Sequence, residues 1–229
     1  MDFSGPEPAD FANVRSLNAA FLKHLRRPAS GKSLRESLSP VLEPMMAALT
    51  ELQIGRLANV PFLLFSLRER DDAYWSSLFA DDPTGDLFAP EQSMPDESGQ
   101  LLAAALGFLW QLSNSNPYAA RVACGASLNW CERLADSTLL CVLQRTSGRD
   151  DLLVLRFADN DDLWKKLLVA GISSEREVRI AAQQCALQTM LTNAQSSDYR
   201  HLPAAACNAR APSIQVADRP ESTQRSKKL

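Results

Sequence analysis

Two segments of this chain read as copies of each other, spaced about 87 to 89 positions apart. Phe21-Leu22-x-x-Leu25 returns as Phe108-Leu109-x-x-Leu112, and Leu67-Arg68 returns as Leu155-Arg156. Asp71-Asp72-Ala73-Tyr74-Trp75-x-x-Leu78 returns as Asp161-Asp162-Leu163-Trp164-x-x-Leu167. Three anchors in one order at nearly one spacing demand a fold that accommodates two similar units. With 229 residues to divide, two small halves packed as one body are expected.

Periodicity assigns most of each half to helix. In the first, Phe11, Val14, Leu17, Phe21, Leu22 and Leu25 recur at three- and four-residue steps, one buried stripe along a helix. Pro40 and Pro44 break the next stretch into short pieces. Thr50 with Gln53 reads as a fresh helix start, running to Asn59. In the second half, Gln100–Ser113 is apolar nearly all round and is expected to be the most buried element. Asn116-Pro117 opens the next helix, Ser127 another, and Asp136-Ser137 a third. The apolar runs Phe62–Leu67 and Asp151–Phe157 fit a strand or a buried helical turn equally well.

These features predict an all-α chain in which two homologous helical halves form a pseudo-dimer. Repeat 1 spans 10–80, an acidic Pro-rich linker 81–99, repeat 2 100–171, an additional C-terminal helix 172–194, and a disordered tail 195–229. The C-terminal helix carries a wide apolar set: Val178, Ala181, Ala182, Cys185, Leu187, Met190 and Leu191.

Charge narrows the classes of partner. The net charge is −3, but residues 195–229 carry six basic and three acidic side chains, leaving −6 on the rest. Phosphate affinity comes mainly from Lys and Arg, so DNA contact is expected to be local or shared with a basic partner. The one dense positive cluster is Lys23, His24, Arg26, Arg27, Lys32 and Arg35. It reads as a solvated helix end, with nucleic acid or the acidic 81–97 stretch as alternative partners, and His24 is expected at the surface. The absence of a basic, apolar leader and of any apolar run near the roughly 20 residues that cross a bilayer suggests a cytoplasmic protein with no membrane role.

Little points to catalysis. The five cysteines include no C-x-x-C, and the ligand spacing of a zinc set is absent, so no zinc set is expected and the thiols read as buried small hydrophobes. A nucleophile triad would have to rest on His24, and the nine glycines form no phosphate loop. The acid pairs at Asp71-Asp72 and Asp161-Asp162 precede helices, where carboxylates satisfy open N–H groups and the positive dipole end. No catalytic, cofactor or metal residue is assigned.

The residues most suited to an interface are Trp75, Trp164, Tyr74, Phe79, Leu139 and Leu143. Each tryptophan is expected to plug the core of its own half, with a role as partner anchor the alternative. Ser127–Ala135 followed by Ser137–Arg145 has helix-turn-helix character, but Leu139-Leu140-Cys141-Val142-Leu143 is too apolar to read DNA and belongs in a core or interface.

In the second half, the apolar helix is followed by Arg121-Val122-Ala123-Cys124-Gly125, Glu132-Arg133-Leu134-Ala135-Asp136-Ser137-Thr138 and Leu152-Leu153-Val154-Leu155-Arg156-Phe157. This order resembles the FlhD subunit family of the bacterial flagellar master transcription regulator. The first half is similar through Ala47-Ala48-Leu49-Thr50-x-x-Gln53-x-x-x-Leu57-Ala58 and Phe65-x-Leu67-Arg68. The likeness covers about 60 residues of each half and rests on apolar spacing. It implies an all-helical dimer that works with a DNA-binding, zinc-carrying FlhC partner, and hence a fused pseudo-dimer acting in transcriptional control through protein contacts. A helical adaptor or chaperone without a DNA role is the alternative, and homo-oligomerisation is compatible with both.

Overall fold

The computed structural model describes residues 5–27, 34, 38–80, 96–149 and 151–200, with side chains described as far as Thr192 in the last helix. The first half contains α1 (Pro8–Arg26), α2 (Leu42–Ala47), α3 (Glu51–Leu57), β1 (Phe65–Ser66) and α4 (Asp72–Ala80). The second contains α5 (Glu97–Ser115), α6 (Pro117–Cys124), α7 (Leu128–Asp136), α8 (Leu139–Thr146), β2 (Val154–Leu155) and α9 (Asp161–Val169). A final helix, α10 (Arg176–Arg200), completes the order. The architecture is mostly helical, with one two-stranded sheet. No helix among the described residues is long and apolar enough to cross a membrane.

The helix starts arise from local chemistry. Thr50 and Gln53 cap each other, Gln53 N–H donating to Thr50 Oγ1 at 3.3 Å and Thr50 N–H to Gln53 Oε1 at 2.9 Å. Asn116 Oδ1 accepts from Ala119 N–H, and Ser127 Oγ from Trp130 N–H. Thr138, one residue past the expected Asp136-Ser137 restart, caps α8 through Cys141 N–H. Asp96 caps α5 through Gly99 N–H, so α5 begins inside the segment read as linker. Residues 81–95 of that linker lie outside the described residues, as do 201–229 of the tail and Lys32 and Arg35 of the basic cluster. Residues 195–200, read as tail, belong to α10.

α5 is the hub. Its buried stripe includes Leu101, Leu102, Ala105, Leu106, Leu109 and Leu112, and it packs against α1, α6, α7 and α8. The two long helices present matching burial: Val14, Leu17, Asn18, Phe21, His24 and Leu25 of α1 correspond to Leu102, Ala105, Leu106, Leu109, Leu112 and Ser113 of α5 at a spacing of 88. Phe21 therefore corresponds to Leu109, not to Phe108 as the letter pattern suggests. Phe108 is only partly buried, whereas Leu109 is fully enclosed.

The two ambiguous runs each hold a short strand. β1 and β2 pair antiparallel, with Phe65 opposite Leu155 and Ser66 opposite Val154, so the only sheet among the described residues crosses from one half to the other. Each strand leaves through a non-glycine residue in the left-handed region, Arg68 (φ 53°) and Phe157 (φ 57°), 89 positions apart.

α10 differs from expectation. Only Ala186 and Met190 of its described side chains are fully buried, and Val178, Ala181 and Cys185 are exposed. Packed along α9, it meets the body on a narrow line, with Ala182, Leu187 and Leu191 partly covered.

Candidate functional site

The structure gathers its charged and aromatic side chains at the seam between the halves. At its centre, the Arg156 guanidinium is 2.9 Å from the Glu69 carboxylate, with the two side chains 5% and 1% exposed. Arg156 Nε donates to Leu63 O at 2.6 Å and Nη2 to Phe65 O at 2.7 Å. Glu69 Oε2 accepts from Ser66 Oγ and Leu67 N–H, both at 2.7 Å. A second-half cation is thus held inside first-half backbone and balanced by a first-half anion. That leaves the guanidinium committed to holding the seam closed.

Trp75 and Trp164 are both fully buried. Trp75 Nε1 donates to Leu67 O at 3.2 Å and to Arg68 O at 3.1 Å; Trp164 Nε1 donates to Arg156 O at 2.6 Å. Leu67 and Arg156 each stand eight residues before their tryptophan. The helices carrying them are capped alike, Asp71 Oδ1 accepting from Tyr74 N–H and Asn160 Oδ1 from Leu163 N–H, both at 3.0 Å. The cap thus pairs Asp71 with Asn160, so the sequence match of Asp71-Asp72 to Asp161-Asp162 is one residue out of register. The Tyr74 N–H and the Arg68 guanidinium hold the Asp71 carboxyl below its ordinary range.

Trp75 does not simply plug its own half. Trp75 stands edge-on to Trp130 of α7, with ring centroids 5.3 Å apart at 81°. The helix that carries it, α4, packs on α8 of the second half, while α9 packs on α2 of the first. Arginines at matching positions fasten both crossings. Arg145 on α8 donates to the Leu78 and Phe79 carbonyls near the end of α4, and Arg56 on α3 donates to Ile172 O just past α9, at 3.0 Å. Cations at these positions suit the negative ends of the helices they reach.

Tyr74 and Phe79 fall along the same seam. Tyr74 lies under the Arg68 guanidinium, 4.2 Å from its ring centroid, and its hydroxyl is 3.2 Å from Asp151 of the second half. Burial, then the Asp151 carboxylate, raises the Tyr74 phenol above its ordinary range. Phe79 packs beside Trp75 and near Arg133 and Arg145. On α8, Leu139 and Leu143 are partly buried, while Leu140 is 56% exposed. Sequence reasoning passed over Glu69, Arg156, Trp130, Arg56 and Arg145. The matched spacing of Arg56 and Arg145 was a signal that could have found those two, and the Leu155-Arg156 anchor one that could have found Arg156.

The basic end of α1 is engaged within the chain. Lys23 and Arg26 pair with Glu51, and Arg27 pairs with Glu97. His24 is 8% exposed and not at the surface, because α5 begins against it: its Nε2 is 3.0 Å from Ser98 Oγ, and Nδ1 is 3.7 Å from Glu97. Among the described residues, no three His, Cys, Asp or Glu side chains group as a metal site would need. Cys124 is buried beside Cys131; burial first, then its hydrogen bond with Cys131, pushes its thiol well above the ordinary range. Such a thiol stays protonated at neutral pH.

No family model, curated protein or solved structure matches the chain.

Proposed function

We propose that this chain is a fused pseudo-dimer that acts as a regulatory subunit in transcription, binding a DNA-binding protein rather than reading DNA alone. The observation that carries this reading is the pair of matching arginine contacts, Arg145 on α8 reaching the end of α4 and Arg56 on α3 reaching just past α9. Two separate subunits of a symmetric dimer would contact each other in this isologous way, residue by equivalent residue. The order of elements repeats with it: nineteen-residue helices α1 and α5, short helices, a strand of two residues, then nine-residue helices α4 and α9.

The FlhD-like resemblance supplies the kind of partner, a zinc-carrying DNA-binding subunit. The acidic body supports protein contact over direct phosphate contact, and Glu51 and Glu97 engage the basic end of α1. The test is a promoter mobility shift with the partner alone and with added chain. The chain is expected to tighten the shift in a salt-dependent way and to shift nothing by itself. Unchanged partner affinity, with no co-purifying complex, would refute the regulatory reading. It would favour a helical adaptor or chaperone, the reading that the outward Leu140 on α8 supports.

A further inference from the structure

α10 has no counterpart in the first half, and its hold on the body is local. At its start, Arg179 Nη1 donates to Ser173 O and Ser174 O, both at 2.8 Å, which ties the helix to its own preceding turn. Farther along, Ala186 and Met190 are the fully buried contacts, with Leu187 and Leu191 partly covered. Met190 sits on Gly125, while Arg70 Nη2 donates to Met190 O at 2.9 Å and Nε to Gly125 O at 3.4 Å.

Gly125 is required there twice over. It ends α6 with φ +68°, a conformation that side chains resist. A Cβ would also lie 2.7 Å from Met190 Cγ, 3.0 Å from Met190 Sδ and 3.3 Å from Arg156 Nη1.

We propose that α10 is a strap which opens as a unit while the two halves stay folded, with the Met190–Gly125–Arg70 contact as its latch. A helix with so few buried side chains belongs to the least stable part of a fold, and an undocked helix is marginal in water. Opening uncovers the buried Gly125, which lies beside Arg156 at the edge of the Arg156–Glu69 pair. The seam then has a covered and an uncovered state, between which a binding protein can select. The strap can open whatever its partner, so its opening is independent of the transcriptional reading.

Amide hydrogen exchange on the full chain tests it. Residues 176–192 should exchange at least about 100-fold faster than buried amides of α5, at a rate that low urea leaves unchanged, as local opening requires. Gly125→Ala should raise α10 exchange about 10-fold or more, with α10 still exchanging at a rate that low urea leaves unchanged. Met190→Ala, which removes the latch without backbone strain, should act in the same direction and serves if Gly125→Ala does not fold. Equal protection of α10 and α5 with a shared urea dependence would overturn the proposal. So would a variant in which α10 exchange takes on the urea dependence of α5.

Discussion

Replacing Glu69 by Gln removes the anion from the seam with almost no change in volume. The Gln carbonyl can still accept from Ser66 Oγ and Leu67 N–H, which Glu69 Oε2 binds at 2.7 Å. Its amide group must then face the Arg156 guanidinium, where the carboxylate oxygen stood 2.9 Å away. A donor confronts a donor, and a cation that is 5% exposed loses its counter-charge. Removing one partner of a buried pair costs about 3–5 kcal/mol; the retained Ser66 and Leu67 bonds place Glu69→Gln near about 3 kcal/mol. Arg156→Met takes a charged donor from Leu63 O and Phe65 O and strands the carboxylate, so about 4 kcal/mol is expected. The double variant lacks both charges and should cost about 4 kcal/mol rather than the sum of about 7, a coupling of about 3 kcal/mol. Urea unfolding followed by the buried tryptophans, with far-ultraviolet circular dichroism as a two-state check, measures all three. The exposed Arg68–Asp151 pair, 34% and 48% exposed, is the control, and its loss should cost less than about 1 kcal/mol. Single costs that add to within about 0.5 kcal/mol would refute the argument that the seam depends on this ion pair.

Three other outcomes are expected. Asn18 is buried, with Nδ2 donating to Phe62 O and Oδ1 accepting from Leu64 N–H, both at 2.8 Å. Asn18→Leu, the residue type found at the matching Leu106, should cost about 2–4 kcal/mol by stranding both backbone groups, read as a fall in the urea midpoint. Arg56→Ala and Arg145→Ala should each cost about 1 kcal/mol and should add, since they fasten separate crossings; strong non-additivity would argue against two independent clasps. Asp71 has a depressed folded-state pKa, so its contribution is present above the unfolded aspartate value near about 3.9 and is lost as pH falls through the folded value. Asp71→Asn should keep the cap, as Asn160 does, and flatten that part of the acid stability profile; an unchanged profile would contradict the assignment.

Much of the helical framework was legible because it rests on short-range chemistry. Thr50, Asn116 and Ser127 cap where their hydroxyl and amide groups meet open N–H donors a few residues on, a contact the local sequence contains in full. The stripe from Val14 to Leu25 likewise arises from the helical period. Register between the two similar stretches was less accessible. Similar letters pair Phe21 with Phe108 and Asp71 with Asp161, whereas burial and capping pair Phe21 with Leu109 and Asp71 with Asn160. His24 looks like surface because its neighbours Lys23, Arg26 and Arg27 are charged; the start of α5, far along the chain, encloses it.

What the chain by itself determined is that it would be helical and would carry one set of spacings twice, since both properties are written in local pattern and repetition. Where the last helix of each half would dock was settled only in three dimensions. Trp75 is apolar enough to fill either core, and it rests against Trp130 of the other half because the β1–β2 pairing brings the two strands together and sends α4 across the seam. The Arg156–Glu69 pair was equally invisible, because two charges 87 positions apart carry no local mark of being neighbours until the surrounding apolar residues exclude water from both.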